Sequence, residues 1–144
     1  MKVADLIQSR TDVYWIPDDT TVHDAARYLR EKEVRAVGVR DKAGKLVGVV
    51  SHSDVSDKVA AENKPPAWMR VSEIMSTNLI VVPPATELDE CRLLMEKHRI
   101  FHLLIVDEKG EYRGMVSVTD LLKVMIADQK ARADMLESYI YPQR

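Results

Sequence analysis

The chain has 144 residues, 46% apolar and 31% charged, and a net charge of −2; that length sustains one compact domain or two small lobes sharing a core. The opposite charges are interspersed without a basic block, which argues against an electrostatic grip on nucleic acid or on an anionic membrane. A single Cys91 excludes an internal disulfide, the start MKVADLIQSR lacks the apolar run of a signal peptide, and no stretch nears the ~20 apolar residues of a membrane span, so a cytoplasmic protein is expected.

In chain order, Val3–Ile7 reads as a lead-in helical turn. Val13–Ile16 is a short strand stopped by Pro17. Thr20 or Thr21 caps a helix from about Val22 to Glu33, with Val22, Ala25, Ala26 and Leu29 as its apolar stripe. Ala36–Val39 and Leu46–Val50 form a hairpin around Asp41–Gly44, where the glycine can take positive φ. A helix opens at Ser53-Asp54 and ends before Pro65-Pro66. The linker follows, then a second lead-in at Val71–Met75. Leu79–Val82 is a strand, Leu88–His98 a helix with Leu88, Cys91, Leu94 and Met95 inward, and His102–Val106 pairs with Tyr112–Val116. A last helix starts at Thr119-Asp120. Its tail carries Leu122, Ile126, Ala133, Leu136 and Ile140 near helical spacing. That stripe is either intramolecular packing or a partner interface.

The chain thus states one pattern twice. Residues 13–55 align with 79–121 at a constant offset of 66, without a gap. Pro17/Pro83, Thr20/Thr86, Asp41/Asp107, Gly44/Gly110, Gly48/Gly114, Val50/Val116, Ser51/Ser117 and Asp54/Asp120 are identical. Two β-α-β-β-α copies exclude a solenoid and imply a pseudo-symmetric pair with a crevice between like units. The division expected is 1–64, a linker 65–70, 71–123, and a helical extension 124–144.

The sharpest shared element is Gly48-Val49-Val50-Ser51-His52-Ser53-Asp54-Val55 with its twin Gly114-Met115-Val116-Ser117-Val118-Thr119-Asp120-Leu121. Both lie where a strand passes into a helix. Free N–H groups and the positive helix end favour phosphate there, and an aspartate can accept from both ribose hydroxyls. The same residues also suit an ordinary helix N-cap. His52 reads as a cap or surface group, Cys91 as core, and Trp15 and Trp68 as packing. His23, His52, His98 and His102 make no zinc-spaced set, and no metal site is expected.

With these residues in view, the chain resembles a CBS-domain pair (the cystathionine β-synthase domain), or Bateman module, from about Val3 to Lys123. The resemblance implies an α/β fold of the α+β type: a tandem pseudo-two-fold pair that binds an adenosyl compound. AMP, ADP, ATP and NAD are the ligands expected, S-adenosylmethionine less so. It implies pockets built across the repeats. One would use Val50, Ser51 and Asp54 with Leu79, Ile80, Phe101 and His102; the other Val116, Ser117 and Asp120 with Val13, Tyr14, Arg35 and Ala36. Aspartate would hold ribose, and serine and the helix start phosphate. Arg35 or His102 would neutralise its charge, with Lys58 and Lys123 assisting. Arginine is always charged and histidine is not, so the Ser117/Asp120/Arg35 site should be the better anion binder. The family's second strand usually carries a proline where this chain has Gly38 and Leu104, which puts the shape of the adenine slot in question.

The function expected is a non-enzymatic sensor, a homodimer signalling to a protein target not named by the sequence, without nucleic-acid or membrane partners. The rival is a structural or interaction module with empty pockets that uses the C-terminal helix. An enzyme finds no support: no nucleophile–base–orienter set and no P-loop is present.

Overall fold

The structure is a computed structural model that describes residues 1–8, 10 and 12–140. Helix α1 (Val3–Ile7) is followed by β1 (Trp15–Pro17), α2 (Val22–Lys32), β2 (Ala36–Arg40), β3 (Leu46–Ser51) and α3 (His52–Val55). The second repeat gives β4 (Val81–Val82), α4 (Leu88–His98), β5 (His102–Val106), β6 (Tyr112–Ser117) and α5 (Val118–Ile140). Each repeat forms a three-stranded sheet with its second strand in the middle, parallel to the first and antiparallel to the third. The two sheets carry the same register shift, between Val39 and Arg40 and between Ile105 and Val106.

Local chemistry explains most boundaries. Thr21 caps α2, its side chain accepting from the Asp24 N–H at 3.1 Å. Both hairpins turn on an aspartate: Asp41 accepts from the N–H groups of Ala43 and Lys45, and Asp107 from those of Lys109 and Glu111. Gly44 and Gly110 close the turns at φ 83° and 78°, a region where a Cβ is strained.

Three expectations need correction. The first strands begin two residues late, at Trp15 and Val81, because the parallel pairing starts only opposite Gly38 and Leu104. The third helical segment opens at His52, capped by Ser51 rather than by Ser53-Asp54, and runs on as a π-helical turn, Ser56–Ala60. Trp68 packs on little: it is 86% exposed, in a short 3-10 turn of the linker.

The two cores are interleaved. Val3 of α1 is sealed in the second core with Val82, Cys91, Met95 and Leu103. Val71 and Ile74, in the second lead-in, are sealed in the first core with Ile16, Val22 and Leu29. The docking is symmetrical: the Val3 N–H donates to the Thr86 carbonyl, and the Val71 N–H to that of Thr20, each at 2.8 Å. The identical prolines and threonines of the repeats shape these sockets. Thr20 and Thr86 donate their N–H groups back to the Pro17 and Pro83 carbonyls at 3.1 Å, while their own carbonyls accept from the incoming lead-ins. Buried backbone groups in both lead-ins are thereby satisfied by the opposite repeat.

Candidate functional site

The paired Ser–Asp elements form two matching braces. In the first, the Ser51 N–H donates to Asp54 Oδ2 at 2.9 Å and the Asp54 N–H donates to Ser51 Oγ at 3.3 Å. In the second, Ser117 donates to Asp120 Oδ2 at 2.8 Å and the Asp120 N–H to Ser117 Oγ at 3.1 Å. These reciprocal bonds are a capping box, so serine and aspartate do cap their helices. The caps also fix each carboxylate at the strand-to-helix junction.

Each carboxylate meets a cation, Lys58 one turn further along its own helix in the first brace and Arg10 from the opposite repeat in the second. Lys58 lies 2.9 Å from Asp54 and donates to the Ile74 carbonyl at 2.8 Å, tying the first brace to the second lead-in. Arg10 lies 3.0 Å from Asp120 Oδ2 and also donates to the Met115 carbonyl, so the first lead-in reaches across to the second brace. In the same way Ser76 exchanges main-chain bonds with Val49, at 2.8 and 3.0 Å. Arg10 and Ser76 therefore each lie beside the brace of the opposite repeat.

The other predicted residues are placed differently. Ala36 pairs with Ser51 and His102 with Ser117 within their own sheets. The His52 N–H donates to the Arg35 carbonyl and the Val118 N–H to that of Phe101. Main-chain pairing thus sets Arg35-Ala36 beside the first brace and Phe101-His102 beside the second. His102 nevertheless feels both Asp120 and Arg35, which brings Arg35, His102 and Asp120 into one electrostatic neighbourhood. Burial holds the His102 pKa below the ordinary imidazole value; Asp120 opposes this and Arg35 adds to it. Burial thus disfavours the charged form of His102, one of the two groups expected to meet phosphate.

Val50 and Val116 are fully buried in the cores, so only their main chains can meet a ligand. Phe101 is 72% exposed and Val13 is exposed. Tyr14 packs edge-on against Tyr28, ring centroids 6.2 Å apart, beneath the Lys32 ammonium. A cavity of about 440 Å³ is bounded by Leu29, Arg30, Glu33, Val34, Arg35 and His52.

Sequence reading missed a larger, asymmetric cleft of about 880 Å³ between the first lead-in and the β5–β6 turn, which Arg10, Val13, Trp15, Arg40 and Tyr112 help to line. The Arg40 guanidinium stacks on Trp15 at 4.9 Å and on Tyr112 at 5.7 Å. The equivalent positions in the repeat alignment are Val106, Val81 and Leu46, and that mismatch was the available signal. The Tyr112 ring also explains Gly38: a Cβ there would lie 2.9 Å from it and 3.1 Å from Leu46. Tyr112 thus takes the space that a side chain at Gly38 would need.

Comparison with known proteins agrees with this fold. The family model described as CBS domain matches residues 3–61 and 71–127. A protein with CBS domains from Burkholderia ambifaria MC40-6 superposes with a TM-score of 0.82 at 32% identity, over 90% of this chain and 96% of that one. The CBS domain structure NE2398 gives 0.80 at 30% identity, over 88% and 98%. An inosine-5′-monophosphate dehydrogenase from Nitrosopumilus maritimus is 32% identical over 75% of this chain, and CBSX3, a mitochondrial CBS domain-containing protein from Arabidopsis thaliana, is 29% identical over 88%. The chain spans 21% of the dehydrogenase and 63% of CBSX3. With the family model matched once in each repeat and the pair superposing as a unit, the chain belongs to the CBS domain family and carries the domain twice.

Proposed function

We propose that this chain is a non-enzymatic regulatory module of the cytoplasm that binds an adenine nucleotide, AMP, ADP, ATP or NAD, between its repeats. The observation that carries this reading is the duplicated Ser–Asp brace, each copy tied to the lead-in of the opposite repeat. A ligand there touches both repeats at once and selects one arrangement of the pair, by as much as its affinities for two arrangements differ. Asp120 would take the ribose hydroxyls on exchanging Arg10, and Arg35 would face phosphate. A CBS domain protein from Pyrobaculum aerophilum with this fold is complexed with AMP, and the CBS pair of protein MJ0100 with 5′-methylthioadenosine and S-adenosyl-L-methionine. Those fold relatives support an adenosyl ligand class.

The test is a thermal-shift series with AMP, ADP, ATP, NAD and S-adenosylmethionine on protein stripped of nucleotide. A ligand at about 100 times its dissociation constant stabilises by about 2.7 kcal/mol, or about 5–10 °C. Asn caps a helix about as well as Asp. Asp54→Asn and Asp120→Asn should therefore keep the fold and lose the shift. Shifts unchanged in both variants would remove the aspartates from the site, and no shift with any compound would leave the interaction-module reading.

A further inference from the structure

The cleft beside the first lead-in holds a guanidinium without a counter-ion. Arg40 is partly buried and makes no ion pair among the described residues. Its Nη2 donates to the Tyr112 carbonyl at a long 3.4 Å, and its Nε is buried without an acceptor. Buried charge is ordinarily paired. The rings of Trp15 and Tyr112 flank the group at 4.9 and 5.7 Å. A cation–π contact occupies the face of a guanidinium and leaves its N–H edge for an acceptor. The cleft, about 880 Å³, has the size of a small-molecule site, and Arg10 and Arg113 line it too. We propose that this cleft binds a phosphoryl group carried by a small molecule, with Arg40 as its anchor.

The fold does not require this set of residues. The repeat alignment puts Val106 opposite Arg40, Val81 opposite Trp15, Leu46 opposite Tyr112 and Ser76 opposite Arg10, and the same strands form around them. An unpaired arginine where valine suffices costs stability that a bound anion restores. The carboxylates of the cleft do not supply that anion. Asp107 Oδ1 accepts from the N–H groups of Lys109 and Glu111, and its Oδ2 faces Arg113 at 3.9 Å. Glu111 is exposed on the β5–β6 turn, where water and salt screen it. The Arg113 contact is long and the Arg10–Asp120 pair partly exposed, so both are exchanged at little cost. Three guanidinium forks thus share one cleft, and a phosphoryl group, with three acceptor oxygens, can accept from more than one. Such a ligand touches Trp15 and Arg40 of the first repeat and Tyr112 and Arg113 of the second. Neither Asp54 nor Asp120 lines the cleft, so the site does not rest on the nucleotide reading.

Trp68→Phe leaves Trp15, 39% exposed in the cleft, as the sole tryptophan of the full chain. Its fluorescence is titrated with inorganic phosphate, with sodium chloride holding the ionic strength constant. The expected result is a saturable change, half complete at about 1 mM or below and weakened at least about tenfold by Arg40→Gln. Arg40→Lys, which keeps the charge without the fork, should restore part of it. Arg113→Gln changes an exposed side chain and should weaken binding as well, which keeps the test decisive if circular dichroism shows Arg40→Gln to be unfolded. Repeating the titration with phosphate and with ATP under saturating adenosine separates the sources. Loss of the ATP response alone assigns the phosphoryl group to a nucleotide's tail, and persistence of both assigns it to a separate phosphate compound. No saturable response up to about 50 mM phosphate, one that sodium chloride reproduces, or one indifferent to both Arg40→Gln and Arg113→Gln overturns the proposal.

Discussion

Val71 belongs to the second repeat by sequence and to the first core by packing, where it is fully buried. Val71→Ala removes two methyl groups from that core. At about 0.8 kcal/mol per buried carbon the transfer loss is about 1.6 kcal/mol. A residual cavity of roughly 40 Å³ adds about 1 kcal/mol, for a total of about 2–3 kcal/mol. In a chain near this size that lowers the melting temperature by about 5–10 °C. Val3→Ala should cost the same, through the other core. Urea unfolding followed by tryptophan fluorescence and by far-ultraviolet circular dichroism provides the assay, with Trp15 reporting from the first repeat. Interleaved cores predict one cooperative transition, coincident by both probes, in the wild type and in each variant. A loss below about 0.5 kcal/mol, the level of an ordinary surface change, would refute the reasoning. So would fluorescence and dichroism curves that separate in Val71→Ala, since self-contained repeats would unfold one at a time.

Gly38→Ala forces a methyl group against the Tyr112 ring and Leu46; a destabilisation of about 1–3 kcal/mol is expected, largely relieved by adding Tyr112→Leu, and a neutral single variant on thermal melting would remove the proposed contact. His102 carries a pKa below 6.5 because it is buried, so the unfolded chain takes up a proton that the folded chain refuses. Stability should be full above about pH 6.5 and decline as pH falls toward the folded value. The urea midpoint should drop less in His102→Asn, and equal drops would contradict the assignment. Asp120→Asn keeps the cap but gives up the Arg10 ion pair, which is partly exposed; in the absence of ligand its urea midpoint should correspond to a loss of at most about 1 kcal/mol. A larger loss would make that pair a structural tie.

The repeat, the β-α-β-β-α order and both hairpins were legible in the sequence, because apolar period, caps and turn residues act over a few positions. Leu88–His98 and His102–Val106 form where periodicity puts them, and Cys91 is core as its place on the apolar face implies. The Ser–Asp braces were legible too, though the cap falls on Ser51 rather than Ser53. Tertiary structure alone decided which core each lead-in enters. Val3–Ile7 and Val71–Glu73 are too short to carry a period, and their sockets lie in the opposite repeat. It alone brought Arg10 to Asp120, 110 residues away, and set the Tyr112 ring over Gly38. Local sequence fixes backbone angles, whereas contacts across such separations depend on which buried faces and unsatisfied backbone groups compete for one another once both repeats have formed.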